Sequence, residues 1–245
     1  MNRYYYDFHI HSCLSPCGDN DMTPSNIAGM ATLAGLNIVA LTDHNTAKNC
    51  PAFFEAAKAN GIIPIAGMEL TTAEDIHIVC LFEHLEEALN FSDAVDKRRI
   101  RIKNRTDIFG DQFITDADDN VIGIEEDLLS NATDITYDEV PTLVETYNGV
   151  CFPAHVDRQS NGVIATLGTF PQFPDYRCAE FHEAEKIGEY KEKYPILEDK
   201  LITIGSDAHF LWDIRDKEAY FMLDDEPYSG DKVRNSLFKM LRCGK

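Results

Sequence analysis

Apolar positions along this chain fall into short β-prone runs and longer amphipathic stretches, and the two alternate through its first third. Tyr4 to Ile10 is aromatic and β-prone. Thr23-Pro24 then offers an N-cap and a proline at the first helical position, opening an amphipathic stretch (Ile27, Met30, Ala31, Ala34) that stops at Gly35. Leu36 to Leu41 reads as a short buried strand, Pro51 to Asn60 as a helix closed by Gly61, and Ile62 to Ala66 as the next strand. Strands separated by helices predict parallel β-α-β packing, with ligand sites at the carboxyl ends of the strands.

The alternation breaks between about 84 and 146. A helical run leads into the basic segment Lys97 to Arg105, and Phe113-Ile114-Thr115, an Asp/Asn-rich turn and Val121 to Ile124 read as a hairpin. This stretch is expected to be an insertion over the mouth of a barrel. A solvated face is the leading reading of its basic run, ahead of a rim that guides a phosphorylated substrate inward. Strands resume at Gly149 to Pro153, Ala179 to Phe181 and Leu201 to Ile204, and Asp231 to Leu241 forms a last amphipathic helix. The pattern predicts one α/β domain over 1–245, a TIM-like barrel carrying an inserted helical and hairpin segment.

Composition narrows the class. With 245 residues, 44% hydrophobic and 26% charged, the chain can bury a sizeable core and is too apolar for disorder. No apolar run reaches the roughly 18 residues of a membrane span, and Met-Asn-Arg-Tyr-Tyr-Tyr lacks a signal-peptide core, so no membrane partner and a cytoplasmic location are expected. Seven cysteines without a CxxC pair read as reduced thiols. A formal charge of −20 opposes long-range attraction of polyanions, which predicts no binding of duplex nucleic acid. A small phosphorylated substrate stays open, because bound divalent cations can invert the local field of an acidic site.

The candidate chemistry lies in the placement of eight histidines. His9, His11, His44, His77, His155 and His209 each fall at, just after or within a predicted strand; His84 and His182 are the other two. A lone histidine is usually structural, but in a parallel barrel these six would converge on one face. Asp43, Glu69 and Asp207 occupy equivalent positions. Imidazoles with carboxylates are the ligand set of zinc, manganese and iron, whereas structural zinc would call for clustered cysteines. His9 and His11, two apart on an extended segment, point the same way and can share one cation.

These stretches resemble the PHP (polymerase and histidinol phosphatase) family: Asp7-Phe8-His9-Ile10-His11-Ser12, Ala40-Leu41-Thr42-Asp43-His44-Asn45, Gly67-Met68-Glu69 with Ile76-His77-Ile78, Pro153-Ala154-His155, and Gly205-Ser206-Asp207-Ala208-His209. The resemblance implies a distorted (β/α)7 barrel holding two or three divalent ions (Zn, Mn or Fe). It implies that His9, His11, Glu69 and Asp207 bind one metal, that Glu69 bridges to a second held by His77 and His155, and that His44 and His209 hold a third. The histidinol-phosphatase branch has a further histidine between His11 and His44 that this chain lacks; Asp19 is the candidate replacement, with Cys17 and Asp21 as rivals. Asp43 is read as orienting a histidine rather than ligating. The nucleotide phosphoesterase branch is the most similar.

The activity so implied is hydrolysis of a phosphomonoester by metal-activated water, the substrate being a small nucleotide or short oligonucleotide. Arg158, three residues past His155, could fork onto a phosphate oxygen or be a surface arginine; Arg177 is a weaker second choice. Metal-bound water or His209 could protonate the leaving group. Rival readings are a phosphatase of a non-nucleotide metabolite such as histidinol phosphate, a Ser12 or Ser206 nucleophile without the Gly-X-Ser-X-Gly elbow, and a non-catalytic metal-stabilised module. Chelator-sensitive turnover separates enzyme from module. Oligomeric state is not legible.

Overall fold

The computed structural model describes residues 1–226 and 228–244. Strand β1 (Asn2–Asp7) leads through helix α1 (Pro24–Leu33) to β2 (Ile38–Leu41), and α2 (Cys50–Ala59) leads on to β3 (Ile63–Thr71). Both crossovers are parallel, as the alternation predicts. Thr23 caps α1, its hydroxyl accepting the Asn26 N–H at 3.3 Å, and Pro24 takes the position where a helix has no use for an N–H.

Next comes β4 (His77–Phe82). Residues 72–76 are too short a connection for a crossover helix, so β4 pairs antiparallel with β3. The chain then runs through α3 (Leu85–Asp96), α4 (Thr106–Phe109), the hairpin β5 (Phe113–Thr115) and β6 (Val121–Ile124), and α5 (Val140–Thr146). Strand β7 (Val150–Pro153) lands on the far side of β4, again antiparallel. After α6 (Val163–Leu167), strands β8 (Cys178–Phe181) and β9 (Leu201–Ile204), joined through α7 (Ile187–Lys193), form a separate parallel pair. β10 (Tyr220–Leu223), where the sequence pattern assigns no strand, closes the other edge antiparallel to β1, and α8 (Gly230–Cys243) ends the fold.

The architecture is therefore a mixed α/β fold whose main sheet, ordered β10-β1-β2-β3-β4-β7, curls into a half-barrel. Antiparallel pairings stand at β10–β1, β3–β4 and β4–β7, where a uniform (β/α)7 alternation would have parallel crossovers. The inner strands read as continuous apolar runs because both faces are covered. Val39, Leu41, Met68, Leu70, Ile78 and Cys80 pack with the helices that include Ile27, Phe53 and Phe91. Tyr4, Tyr6, Phe8, Ile38, Ala40 and Val79 share a second cluster with Val233, Leu237, Phe238 and Leu241, the apolar stripe of α8. Among the described residues no helix is long and apolar enough to cross a membrane. The β8–β9 pair meets the main sheet at the strand ends: Ile10 bridges Ala208 in parallel, the His11 N–H donates to the Ala208 carbonyl at 3.0 Å, and the Val156 N–H donates to the Glu180 carbonyl at 2.9 Å.

Candidate metal centre

Strand direction decides what gathers at this end of the sheet. β1, β2, β3 and β7 deliver their carboxyl ends here, carrying His9 and His11, Asp43 and His44, Glu69, and His155. Because β4 runs the other way, its first residue is the one that arrives, and that residue is His77, paired in register with Thr71. Asp207 and His209 follow β9. Imidazole rings 9, 11, 44, 77, 155 and 209 form a connected set, with neighbouring centroids 4.3 to 5.8 Å apart.

Glu69 sits at the centre, fully enclosed. Its Oε1 lies 3.1 Å from His9 Nε2, 2.7 Å from His77 Nδ1 and 3.2 Å from His155 Nε2; its Oε2 lies 3.3 Å from His11 Nε2 and 3.1 Å from His44 Nδ1. Asp207 Oδ1 adds contacts of 3.4 Å to His9 Nε2 and 3.2 Å to His11 Nε2.

Proton bookkeeping shows what this cluster wants. His9 Nδ1 lies 2.7 Å from Glu180 Oε1, an acceptor, so Nδ1 carries the hydrogen and the neutral ring presents a lone pair at Nε2. Ser15 Oγ donates to Asp43 Oδ1 at 2.8 Å and so accepts from His11 Nδ1 at 3.0 Å, which bares His11 Nε2 as well. The two Nε2 atoms face each other at 3.2 Å, with carboxylate oxygens around them. Converging acceptors with no hydrogen between them fit a cation. His44 Nδ1, 3.1 Å from Glu69 Oε2, is likewise buried without a well-directed hydrogen bond.

The carboxylates and imidazoles shift one another's proton affinities. Burial alone would lower the pKa of His9, but Glu180, Glu69 and Asp207 hold it well above its ordinary value. Burial would raise the Glu69 carboxyl, yet His77, His9 and His44 keep it well below the usual carboxylate range. Asp207 follows the same logic through His9 and His11, whereas burial carries His77 downward.

A supporting layer fixes these groups. Asp43 turns away from the cluster, accepting from the Ser12 N–H and hydroxyl, both at 2.7 Å, and from Ser15. It thus reaches His11 through one hydroxyl, and the same hydroxyl accepts the His44 N–H at 3.1 Å. Glu180 of β8, a residue the sequence reading passed over, holds His9 and also accepts the His155 N–H at 3.2 Å. Its signal in the sequence is an acid inside an otherwise apolar strand, Cys178-Ala179-Glu180-Phe181. Gly205 makes room for it: a Cβ there would lie 2.5 Å from Glu180 Oε2 and 2.8 Å from His9 Cβ. His155 (φ 27°) and Asp207 (φ 51°) are non-glycine residues with left-handed backbone, strain of the kind that accumulates at functional sites.

At the mouth, His11, Cys17, His44 and His209 bring ligand atoms within 4.8 Å of one another, and Cys17 stands where Asp19 was expected. Two further groups of side chains that could hold an ion are His9, His11, Glu69 and Asp207, and His44, Glu69 and His77; Asp19 belongs to none of the three and instead accepts the Asp21 N–H at 2.9 Å, and Asp21 is exposed. His209 Nδ1 lies 2.8 Å from the Asp207 carbonyl oxygen, which places its hydrogen on Nδ1 and leaves Nε2 free to ligate. Although burial opposes it, the thiol of Cys17 is pulled down to about 5 by His44, His209 and His11.

Arg158 donates to Asp207 Oδ2 and lies 3.2 Å from the ring nitrogens of His182. Arg215, also unforeseen, lies 3.1 to 3.2 Å from the same ring and donates to the His182 carbonyl at 2.6 Å. Arg177 is away on the surface with Asp175. The basic run is occupied locally: Arg98 with Asp134, Arg99 with Asp96, Arg101 with Asp127, Lys103 with Glu126 and Arg105 with Asp107. His84 stands apart, at the N-cap of α3.

The model of the PHP domain family matches residues 7–158. A 5'-3' exoribonuclease of Haemophilus influenzae is 38% identical over 79 residues, a stretch that covers 31% of this chain and 28% of that protein. Among solved structures, endonuclease Q from Pyrococcus furiosus superposes with a TM-score of 0.62 at 15% identity, over 97% of this chain and 56% of its own. A protein from Bifidobacterium adolescentis described as a candidate metal-dependent phosphoesterase gives 0.58 at 19% identity, over 95% of both chains. This chain therefore spans less than two thirds of the exoribonuclease and of endonuclease Q.

One expectation needs correcting. Net charge was taken to exclude duplex nucleic acid, but endonuclease Q, matched over 98% of this chain with a TM-score of 0.62, is seen with a 27-mer duplex carrying an abasic lesion at its active site. That protein accommodates a duplex, so the expected exclusion is not supported. Net charge is a property of the whole surface, whereas a phosphate at a site meets the local field, which nearby arginines and any bound cation can set against it.

Proposed function

Since the chain belongs to the PHP domain family, we propose that it is a metal-dependent phosphoesterase that hydrolyses phosphate esters of nucleotides or short oligonucleotides. The observation that carries this reading is Glu69: one enclosed carboxylate within 2.7 to 3.3 Å of five imidazole nitrogens, the arrangement of a group shared between cations.

His9, His11, Glu69 and Asp207 would hold one ion; Glu69, His77 and His155 a second; His11, Cys17, His44 and His209 a third. Zinc, manganese and iron suit the first two donor sets, and the thiolate favours zinc in the last. Bound there, the ions would supply Lewis acidity and lower the pKa of water from about 15.7 toward neutrality. Arg158, anchored by Asp207, would orient a phosphoryl oxygen and screen its charge. Glu180 and the Asp43–Ser15 pair keep the first-row imidazoles in the tautomer that offers Nε2. The likeness of part of this chain to a 5'-3' exoribonuclease supports a nucleotide ester over histidinol phosphate as its substrate.

The test is a panel of nucleoside mono- and bisphosphates, single- and double-stranded oligonucleotides, sugar phosphates and histidinol phosphate, assayed with protein of measured metal content. Turnover of a nucleotide ester that chelation abolishes and metal restores is expected; metal that raises thermal stability without turnover of any ester would leave a binding module. A separate expectation concerns Cys17. Zinc-loaded protein should show a sulfur scatterer at about 2.3 Å in X-ray absorption, and Cys17→Ser should remove it. Zinc-loaded wild type without a sulfur scatterer, together with a lower zinc content in Asp19→Ala, would return that role to the carboxylate.

A further inference from the structure

His209 is followed by a loop with an unusual division of apolar residues. Leu211 packs against the core and Ile214 is buried, so the 3₁₀ turn Leu211–Asp213 is anchored from beneath. The two aromatic residues of the same turn face outward. Phe210 is 37% and Trp212 74% exposed, and their rings lie parallel, centroids 5.1 Å apart with 16° between planes. Trp212 is the sole tryptophan in the chain. An indole gains more than most side chains from burial, so one left in water on a pinned turn forgoes a stabilisation that a stacked ligand would supply.

The turn is fixed at both ends. His209 Nδ1 is tied to the Asp207 carbonyl, and the His209 carbonyl accepts the Asp19 N–H at 2.9 Å. At the other end Arg215 is bonded to His182, whose ring also meets Arg158. A planar aromatic surface therefore starts one residue from a ring that stacks on His11 at 4.3 Å, and the chain runs on from it to Arg215, three residues after Trp212.

The geometry points to a base-stacking shelf: Trp212, backed by Phe210, takes the nucleobase of a substrate whose phosphate lies at the metal centre. This inference rests on the phosphoesterase reading and deepens it, because it makes the base, and not only the phosphate, part of what is recognised. Stacking is tolerant of sequence, since every base has a π face, and it requires an unpaired base: a mononucleotide, a single strand or a frayed end. Arg158 and Arg215, which meet at the His182 ring, would supply charge for the phosphate backbone.

Trp212 is its own reporter. The full-length, metal-loaded protein is titrated with AMP and with ribose 5-phosphate, following tryptophan fluorescence and, in parallel, heat. AMP should quench the emission and ribose 5-phosphate should not. Trp212→Ala, at an exposed position, should weaken AMP by about 5- to 150-fold, the range of stacking on one aromatic residue, while ribose 5-phosphate keeps its affinity. Trp212→Phe should restore most of the loss. Equal affinity for the two ligands in the wild type, or AMP binding without quenching, overturns the shelf even where phosphoesters are hydrolysed. Quenching and selective AMP binding without hydrolysis of any ester would keep the shelf and remove the hydrolase reading; neither binding nor hydrolysis removes both.

Discussion

Glu69→Gln is expected to lower kcat by about 10³-fold or more and to reduce bound metal by more than one equivalent per chain. Removal of one fixed electrostatic donor already costs about 10² to 10³ in other enzymes, and Glu69 serves five imidazoles at once. Glutamine keeps the shape but neither the charge nor two equivalent oxygens, so it cannot bridge. Metal content by mass spectrometry alongside kcat checks this. Retained turnover with one ion lost would rule out the shared carboxylate.

The second large effect is expected one layer out. Glu180→Ala removes the acceptor that fixes His9 Nδ1 and the His155 N–H, so the His9 ring is free to rotate and to switch tautomer. Partners of this kind are worth about 10- to 100-fold in metal affinity. Competition against a chelator of known affinity should show that loss, with Glu180→Gln intermediate because its amide oxygen still accepts. A folded alanine variant with unchanged metal affinity would reduce Glu180 to a packing residue. Both variants need a thermal melt, since Glu180 is buried and its Oε2 already lacks a partner.

How these residues were or were not legible follows from what a sequence encodes locally. Thr23-Pro24 and the apolar stripe behind it specify α1 by themselves, and the strand-end histidines are visible because period and punctuation mark where strands stop. Pairing direction is not written that way. Residues 72–76 read as one more loop in a parallel series, although their shortness forces β4 to turn back, which is why His77 reaches the site from the start of its strand. β10 escaped because Tyr220 to Leu223 is a half-exposed edge without a clear alternation. Cys17 and Asp19 sit on the same loop two residues apart, and only its three-dimensional course, with the Asp19 carboxylate spent on Asp21, separates them. Arg215 and Glu180 act across elements distant in sequence, so no local pattern announces their partners.

The meeting of the two sheets carries a last consequence. Few main-chain bonds cross from β1 and β7 to the β8–β9 pair, and the side chains that face each other there include His9, His11 and Glu69 on one side and Asp207 and Glu180 on the other. An ion gripped by His9, His11, Glu69 and Asp207 would add a clasp to a join that Glu180 already makes with His9 and His155 and Ser206 with Asp7. Cofactor loading and cohesion of the domain then become one equilibrium, in which an emptied centre loosens the join and a tightly held ion makes the whole molecule harder to pull apart.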